Sequence, residues 1–426
     1  MIKGLKIPSD ESLLFHIGHD TIPNLIDYLK EINVSNIVLV SDENEYEALG
    51  ARVETALREA SFNVNNIILR GEEIGANEKY IVQVLLPSDQ SAQLFIAVGS
   101  GTVTDIVRFV SFRAKSYYIS LPTAPSVDGF ASNGSSMTIL GYKQTIISRP
   151  PCAIFADLET LCNAPRPLIA SGFGDMFGKF SALADWKLAN ILNGDAYDAA
   201  IAERSRNARN KVITQSKKIN EDWEFSIKSV MEALYEEGLC MLEFGNSRPA
   251  SGSEHQFSHY WEMTLLRENR PAVFHGAKVG LASIWIAEYY EMVRKMSKEE
   301  MVNRLSNTAK FEREDEIQKI TRGYGKDLVS VIVKNQESHL SMTPERYNLL
   351  KDKIIDHWNE IQEIALEVPS PDEMRSLLKR VGGVTEPAEI GLSNEDIRNA
   401  VEYAQYVRKA FTILNVSQML GWKPAV

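Results

Sequence analysis

LFIAVGSGTVTDIVRFVSFRA, residues Leu94–Ala114, carries the pattern that decides the fold. Its first five residues, Leu94–Val98, are a short unbroken apolar run of the kind found in a strand covered on both faces. A glycine-rich turn, Gly99-Ser100-Gly101-Thr102-Val103, follows directly, and a helical periodicity runs from Thr104 to Ala114. A strand that passes through a tight turn into a helix is the repeating unit of a parallel sheet, because parallel neighbours need a crossover connection. Such a turn lets backbone approach a pyrophosphate while the helix N-terminus offers unpaired N–H donors. The spacing is not a full G-x-G-x-x-G, and residue 104 is threonine. A plain strand-to-helix turn capped by Thr104 or Asp105 accounts for the same residues.

The same unit recurs on both sides of this stretch. Strands are expected at Asn36–Val40, Asn65–Leu69, Tyr117–Leu121 and Ala153–Ala156, with helices such as Thr21–Glu31 and Asn44–Ala60 between them. From Pro165 onward the period changes to long helical repeats at 175–192, 195–217, 222–245, 253–268, 275–297, 343–366, 371–380 and 394–420. Lys295–Lys326 is dense in charge and reads as a solvated, variable excursion. The expected fold class is therefore α/β: a Rossmann-like parallel-sheet domain over 1–163, then an all-α helical domain over 164–426. Ligands of open parallel sheets bind beyond the strand carboxyl ends, so the active site is expected in a cleft between the two domains.

Composition narrows the function classes. The chain has 426 residues, 44% hydrophobic and 24% charged, with a net charge of −11. That excess of negative charge argues against nucleic acid or an anionic membrane as a partner, and any anionic substrate must be met by local cations. Cys152, Cys162 and Cys240 are odd in number and have no C-x-x-C spacing, which suits a reducing compartment. The first twenty residues hold no signal-like apolar run, and no stretch approaches the length of a membrane span. A cytoplasmic location is expected.

Three further stretches carry chemistry. Asp42, just after the strand at Asn36–Val40, can accept from both ribose hydroxyls of an adenosine and would repel a 2′-phosphate; it could equally cap the next helix. Leu121–Thr138, LPTAPSVDGFASNGSSMT, is rich in small and hydroxyl residues and reads as a binding loop stiffened by Pro122, Pro125, Phe130 and Met137. In Ser247–Gly280, His255 and His259 lie four apart, one helical turn from each other, and His275 follows a break at Pro271. A catalytic divalent metal takes three ligands of His, Asp, Glu or Cys type and keeps one position open. Asp175, set among Gly172, Phe173, Gly174, Met176 and Phe177, is the carboxylate best placed to complete such a set, being costly to bury without a partner. Two ordinary histidines on a helix face would show the same spacing.

Taken together, AVGSGTVTDIVRF, PTAPSVDGFAS, ASGFGDMFGKFSALADWKLA, SRPASGSEHQFSHYWEM and FHGAKVG resemble the metal-dependent alcohol dehydrogenase and dehydroquinate synthase superfamily. Within it the chain is similar to the bacterial glycerol-1-phosphate dehydrogenases. The motifs occur in family order over Ala97–Gly280. The resemblance implies Asp175, His255 and His275 as metal ligands, His259 as the substrate-side histidine and Asp128 as the substrate-contacting aspartate. It implies cofactor contacts from Asp42, from Gly99, Ser100, Gly101, Thr102 and Val103, from Thr123, Ala124, Pro125 and Ser126, and from Ser132.

The implied activity is reversible reduction of dihydroxyacetone phosphate to sn-glycerol 1-phosphate. The implied cofactors are NAD(H), with NADP(H) also accommodated, and one divalent metal, zinc, nickel or iron. A homodimer or larger homo-oligomer is implied as well. Dehydroquinate synthases carry a glutamate in an A-E-x-x-K context where this chain has G-D-x-x-x-K, with Asp175 and Lys179. Glycerol or other polyol dehydrogenases share the ligand types but lack the SRPASGSEHQFSH and HGAKVG pairing. Lys143, Arg149, Arg248 and Lys278 are the cations near enough in sequence to meet a substrate phosphate.

Overall fold

The structure, a computed structural model, describes residues 13–88, 91 and 93–426; residues 1–12, read above for a signal sequence, lie outside them. The described chain forms two compact units, one built from the residues up to Gly172 with Thr214–Asn246, the other from Phe173–Ile213 with Ser247–Val426.

The first unit is organised by a six-stranded, wholly parallel sheet. Its members are β1 (Leu14–Gly18), β2 (Asn36–Asp42), β3 (Asn63–Leu69), β4 (Leu94–Val98), β5 (Tyr117–Leu121) and β8 (Ala153–Asp157), in the order β1-β8-β5-β4-β2-β3. Alternation along each strand divides the core into two layers. Ile37, Leu39, Leu94, Ile96, Val98, Ile119 and Leu121 face Leu25, Leu29, Leu49, Val53 and Leu57 on one side. Val38, Val40, Phe95, Ala97 and Tyr118 face Val103, Ile106, Val107, Val110 and Val84 on the other. Both faces are covered, which is why β4 is an unbroken apolar run.

Two elements of this unit are not expected from the sequence patterns. β1, LFHIG, is short, interrupted by His16 and nowhere fully buried, and it takes its place at the edge by pairing with β8. β6 (Gly134–Ile139), which begins inside the stretch read as a loop, pairs with β7 (Tyr142–Ile147) in an antiparallel hairpin. Its two-residue turn, Leu140-Gly141, has φ of 50° and 78°, a primed turn written with Leu in place of the usual Asn or Asp.

The second unit has no strand among its described residues. Ser253–Arg267 packs on His275–Lys295, which also receives Trp358–Leu366 and Pro371–Arg380, while Asn394–Tyr403 packs on Ser253–Arg267. The helix Arg166–Asn193, which begins in the first unit, starts nine residues before the expected 175.

The stretch expected as one helix over 394–420 is instead Asn394–Tyr403, a 3-10 turn at Ala404–Tyr406, an irregular bend, and Ile413–Met419. The restart is local: the Thr412 side chain accepts from Leu414 N at 3.3 Å, and Asp185 accepts Ile413 N at 2.7 Å. Likewise 343–366 breaks at His357.

The expectation that Lys295–Lys326 is a solvated excursion is corrected. Met301, Leu305, Glu316, Ile320 and Tyr324 are buried, and Tyr324 Oη donates to Tyr403 O at 2.7 Å. Most of the charge lies on the outer face of these helices, while the inner face, Glu316 included, belongs to the core.

Candidate active site

In the first unit the turns expected to meet a dinucleotide share one edge of the sheet. β2, β4 and β5 are neighbours, and their carboxyl ends carry Asp42, Gly99–Val103 and Thr123–Ser126 in adjacent positions. Gly99 N donates to Leu121 O at 3.0 Å, and Thr123 N donates to Gly99 O at 3.4 Å, tying two of the turns together. The helix begins at Gly101, three residues earlier than expected, and neither Thr104 nor Asp105 caps it. Thr104 faces Ser120 and Asp105 pairs with Arg108.

Asp42 caps its own helix, accepting Glu45 N at 2.7 Å. Glu45, which sequence reading missed, leans across to the glycine turn. Its carboxylate accepts Ser100 N at 2.6 Å, and a Cβ at position 99 would lie 2.2 Å from its Oε2. The carboxylate could swing aside, but the same Cβ would also lie 2.8 Å from Val103 Cβ, which is fixed to the helix backbone, and that contact is what favours glycine at 99. Burial, with the Asp42 charge added, pushes the Glu45 carboxyl up to about 7.

Asp128 is buried and opens the 3-10 turn Asp128–Ala131; Ser132 follows it, its hydroxyl donating to Gly129 O at 3.1 Å. The segment is pinned by Arg108, wholly buried, which donates to Gly129 O, Phe130 O and Gly134 O at 2.5, 3.1 and 2.7 Å. Its remaining bonds go to Asp105 and to Tyr118 Oη, both at 2.7 Å. Arg108 was also missed; its only sequence signal is the i,i+3 spacing from Asp105.

In the second unit Asp175, His255 and His275 present donor atoms within 4.8 Å of one another. Asp175 sits mid-helix, His255 is the third residue of Ser253–Arg267, and His275 is the first of its helix. The helices meet closely because Gly174 has no side chain; a Cβ there would lie 2.3 Å from Gly276 O. His255 Nε2 is 3.3 Å from His275 Nε2 and 3.7 Å from Asp175 Oδ1. Two nitrogens bound tetrahedrally to one ion at ~2.05 Å lie about 3.3 Å apart, so the donor set fits a divalent metal in both chemistry and spacing.

The surroundings suit that use. His255 Nδ1 is 2.7 Å from Glu254 Oε1, so the Nδ1 proton goes to the carboxylate and the Nε2 lone pair faces inward. Burial alone would raise the Glu254 carboxyl, but bonds from His255, Ser181 and Gly252 outweigh it and hold the group below its usual range. Lys179 Nζ lies 3.1 Å from Asp175 Oδ1 and 3.0 Å from Ala250 O, both side chains fully buried. Asp185 anchors the start of the His255 helix, accepting Ser253 N and Oγ at 2.7 and 2.6 Å, and burial with the Glu254 charge pushes it up to about 6. Neither Glu254 nor Asp185 is singled out by spacing, because each is one of many acidic residues on a helix.

His259 stacks beside His275 with ring centroids 5.5 Å apart. Arg408 Nη2 lies 2.8 Å from its Nε2, and Glu262 Oε2 lies 3.2 Å from its Nδ1. A guanidinium has only protons to give, so Nε2 accepts and the ring proton sits on Nδ1 toward Glu262. Burial first, then the Arg408 charge, holds His259 well below its usual range, and the ring is neutral. Lys278 Nζ lies 3.5 Å from Glu262 Oε2. Of the other expected cations, Arg248 bonds Phe411 O at 2.6 Å, while Lys143 and Arg149 belong to the first unit, bonded to Ser136 O and Ser116 O.

A parallel-sheet unit with a glycine turn, followed by a helical unit with paired histidines and an aspartate, defines a metal-dependent dehydrogenase of the iron-containing alcohol dehydrogenase class. The model of that family, "iron-containing alcohol dehydrogenase", matches residues 16–165. Solved structures agree in fold: butanol dehydrogenase A of Thermotoga maritima has a TM-score of 0.62 at 11% identity over 98% of both chains. Glycerol dehydrogenase of Schizosaccharomyces pombe has 0.54 at 16% identity, over 92% of this chain and 99% of that one. Among sequences, glycerol-1-phosphate dehydrogenase (NAD(P)+) of Geobacillus thermodenitrificans is 33% identical over 93% of this chain and 90% of the relative. That of Bacillus subtilis is 39% identical over 75% and 81%, and that of Pyrococcus furiosus 32% over 78% and 91%. The chain belongs to the glycerol-1-phosphate dehydrogenase family, and it is an oxidoreductase.

Proposed function

We propose that this chain catalyses the reversible NAD(P)H-linked reduction of dihydroxyacetone phosphate to sn-glycerol 1-phosphate. The observation that carries the reading is the convergence of Asp175, His255 and His275 donors beside His259, in a chain whose relatives carry that activity in their names. A bound divalent metal supplies Lewis-acid polarisation of the ketone. Asp175, His255 and His275 would hold it; Glu254 keeps the His255 proton on Nδ1, so that a lone pair is directed at the site. Lys179 offsets the Asp175 charge when the fold forms.

His259 Nε2 is the acceptor that orients a substrate hydroxyl, with Glu262 retaining the proton on Nδ1. Asp128, held by the Arg108-stitched turn, orients the other hydroxyl. On the cofactor side, the Gly99–Val103 turn receives the pyrophosphate once Glu45 releases Ser100 N, with Thr123–Ser126 and Ser132 as further contacts. Asp42 at the end of β2 favours NAD(H) over NADP(H).

The test is NADH oxidation by metal-reconstituted protein, using zinc, nickel and iron in turn. Dihydroxyacetone phosphate is run beside unphosphorylated dihydroxyacetone and a chelated control. Chelator-sensitive turnover that prefers the phosphorylated ketone is expected. Equal or better turnover of the unphosphorylated ketone would replace the reading with a polyol dehydrogenase.

A further inference from the structure

We propose that Arg408 is the specificity-determining residue that receives the phosphate of the substrate, and that in doing so it releases His259 for the substrate hydroxyl. The inference rests on the function proposed above. Arg408 lies on the bend between Tyr406 and Thr412, outside the five stretches that carry the family resemblance. Its Nη1 donates to Ser251 Oγ at 2.7 Å and to Ser247 Oγ at 3.3 Å, and its Nη2 donates to His259 Nε2 at 2.8 Å. Both serines belong to the turn that leads into the His255 helix, and His259 stacks on His275, so the guanidinium stands one imidazole away from the metal donors.

The bend is held in place rather than left loose. The buried Gln336 amide donates to Tyr406 O at 3.0 Å and to Arg408 O at 2.9 Å, and Tyr406 Oη donates to Glu316 at 2.6 Å. A guanidinium fixed by its backbone at this point suits phosphate, since its planar fork gives two parallel N–H bonds to two oxygens. Each serine hydroxyl can accept from Arg408 and donate its own proton to a third phosphate oxygen.

The His259 bond gives the arrangement its logic. While Nη2 occupies Nε2, His259 cannot accept from a substrate hydroxyl, because its other nitrogen carries the proton toward Glu262. A phosphate oxygen is a stronger acceptor than a neutral imidazole. Transfer of Nη2 to the phosphate frees the Nε2 lone pair while the substrate arrives. A ketone without phosphate leaves the bond intact and finds His259 occupied.

The experiment uses full-length, metal-loaded protein and its Arg408→Gln and Arg408→Lys variants, with metal content and melting temperature measured for each. Steady-state kinetics are taken with dihydroxyacetone phosphate, with dihydroxyacetone, and with dihydroxyacetone plus inorganic phosphite dianion. In the parent protein the phosphorylated ketone is preferred and phosphite stimulates turnover of the unphosphorylated one. In Arg408→Gln the ratio of kcat/KM for phosphorylated over unphosphorylated ketone falls by about 10- to 100-fold, with loss of phosphite stimulation. Arg408→Lys recovers part of the ratio.

A ratio unchanged within about twofold, with both activities lowered together, overturns the assignment and leaves Arg408 as a positioning residue for His259. Absence of any preference in the parent protein is a different result. It refutes the substrate reading itself.

Discussion

Replacing Glu254 by glutamine isolates the charge behind the His255 ligand. Glu254 Oε1 accepts from His255 Nδ1 and from Gly252 N, both at 2.7 Å, and Oε2 accepts Ser181 Oγ at 2.6 Å. Glutamine can keep its carbonyl toward His255 and Gly252 while the Ser181 hydroxyl turns to accept from the amide. Shape and hydrogen-bond count are thus preserved, and only the negative charge is lost. A bond to an ionised acceptor contributes about 1.5–3 kcal/mol against about 0.5–1.5 for a neutral one. The difference, about 1–2 kcal/mol, corresponds to a metal Kd weakened about 5- to 30-fold.

The assay is competitive titration of zinc and nickel against a chromophoric chelator, with apo-protein melting measured in parallel. This reads the site without reference to turnover. A Kd within about twofold of the parent, in a variant that folds normally, would refute the claim that Glu254 directs the His255 lone pair.

Two pH-dependent stability effects follow from buried carboxylates. Burial alone would raise Glu316, but bonds from His339, Lys319 and Tyr406 outweigh it and hold the group at about 2 against its ordinary 4.5. Because the folded value is the lower one, its contribution of about 3 kcal/mol is complete above pH 4.5 and fades as the pH falls toward 2. Glu316→Gln should lose about that much in urea unfolding at pH 7 and converge on the parent in acid; a deficit independent of pH would contradict this.

Glu45 has the opposite sign. Raised to about 7 by burial and by Asp42, it supports the fold fully below pH 4.5 and progressively less as the pH rises through 7. Glu45→Gln should therefore gain about 2–3 kcal/mol over the parent at pH 9 and nothing at pH 4. Equal stability of the two proteins at pH 9 would remove the basis for a strained carboxylate at the glycine turn.

The sequence was most legible where a physical constraint shows in residue type. β2, β4, β5 and β8 are buried on both faces, so their apolar runs are continuous and the α/β class follows. The half-exposed β1 and the Leu140-Gly141 hairpin carry no such constraint, since one is an edge strand and the other has an uncharacteristic turn. The break before Arg408 was hidden because the apolar period runs unbroken through 394–420, while the interruption depends on Asp185 and Gln336 from distant parts of the chain.

The same limit governs the site. Histidines are rare enough for spacing to single them out, whereas Glu254, Glu262 and Arg408 are common residue types whose significance lies in a partner remote in sequence or in an aim that only folding sets. The Lys295–Lys326 stretch misled for a related reason. Charge density reports the outer face of an amphipathic helix, and Glu316, buried among Lys319, His339 and Tyr406, counts as charge in the sequence while serving as core in the fold.

Arg108 ties a segment with little regular structure to the sheet, with three hydrogen bonds to the segment's carbonyls and one to Tyr118 of β5. The turn that carries Asp128 and Ser132 therefore borrows its rigidity, and it cannot open alone without stranding a buried guanidinium. Its amides belong to the same cooperative unit as β5 and the helix Gly101–Arg113, so solvent exchange there should be as slow as in the sheet. A loop by shape, it is part of the scaffold in its energetics.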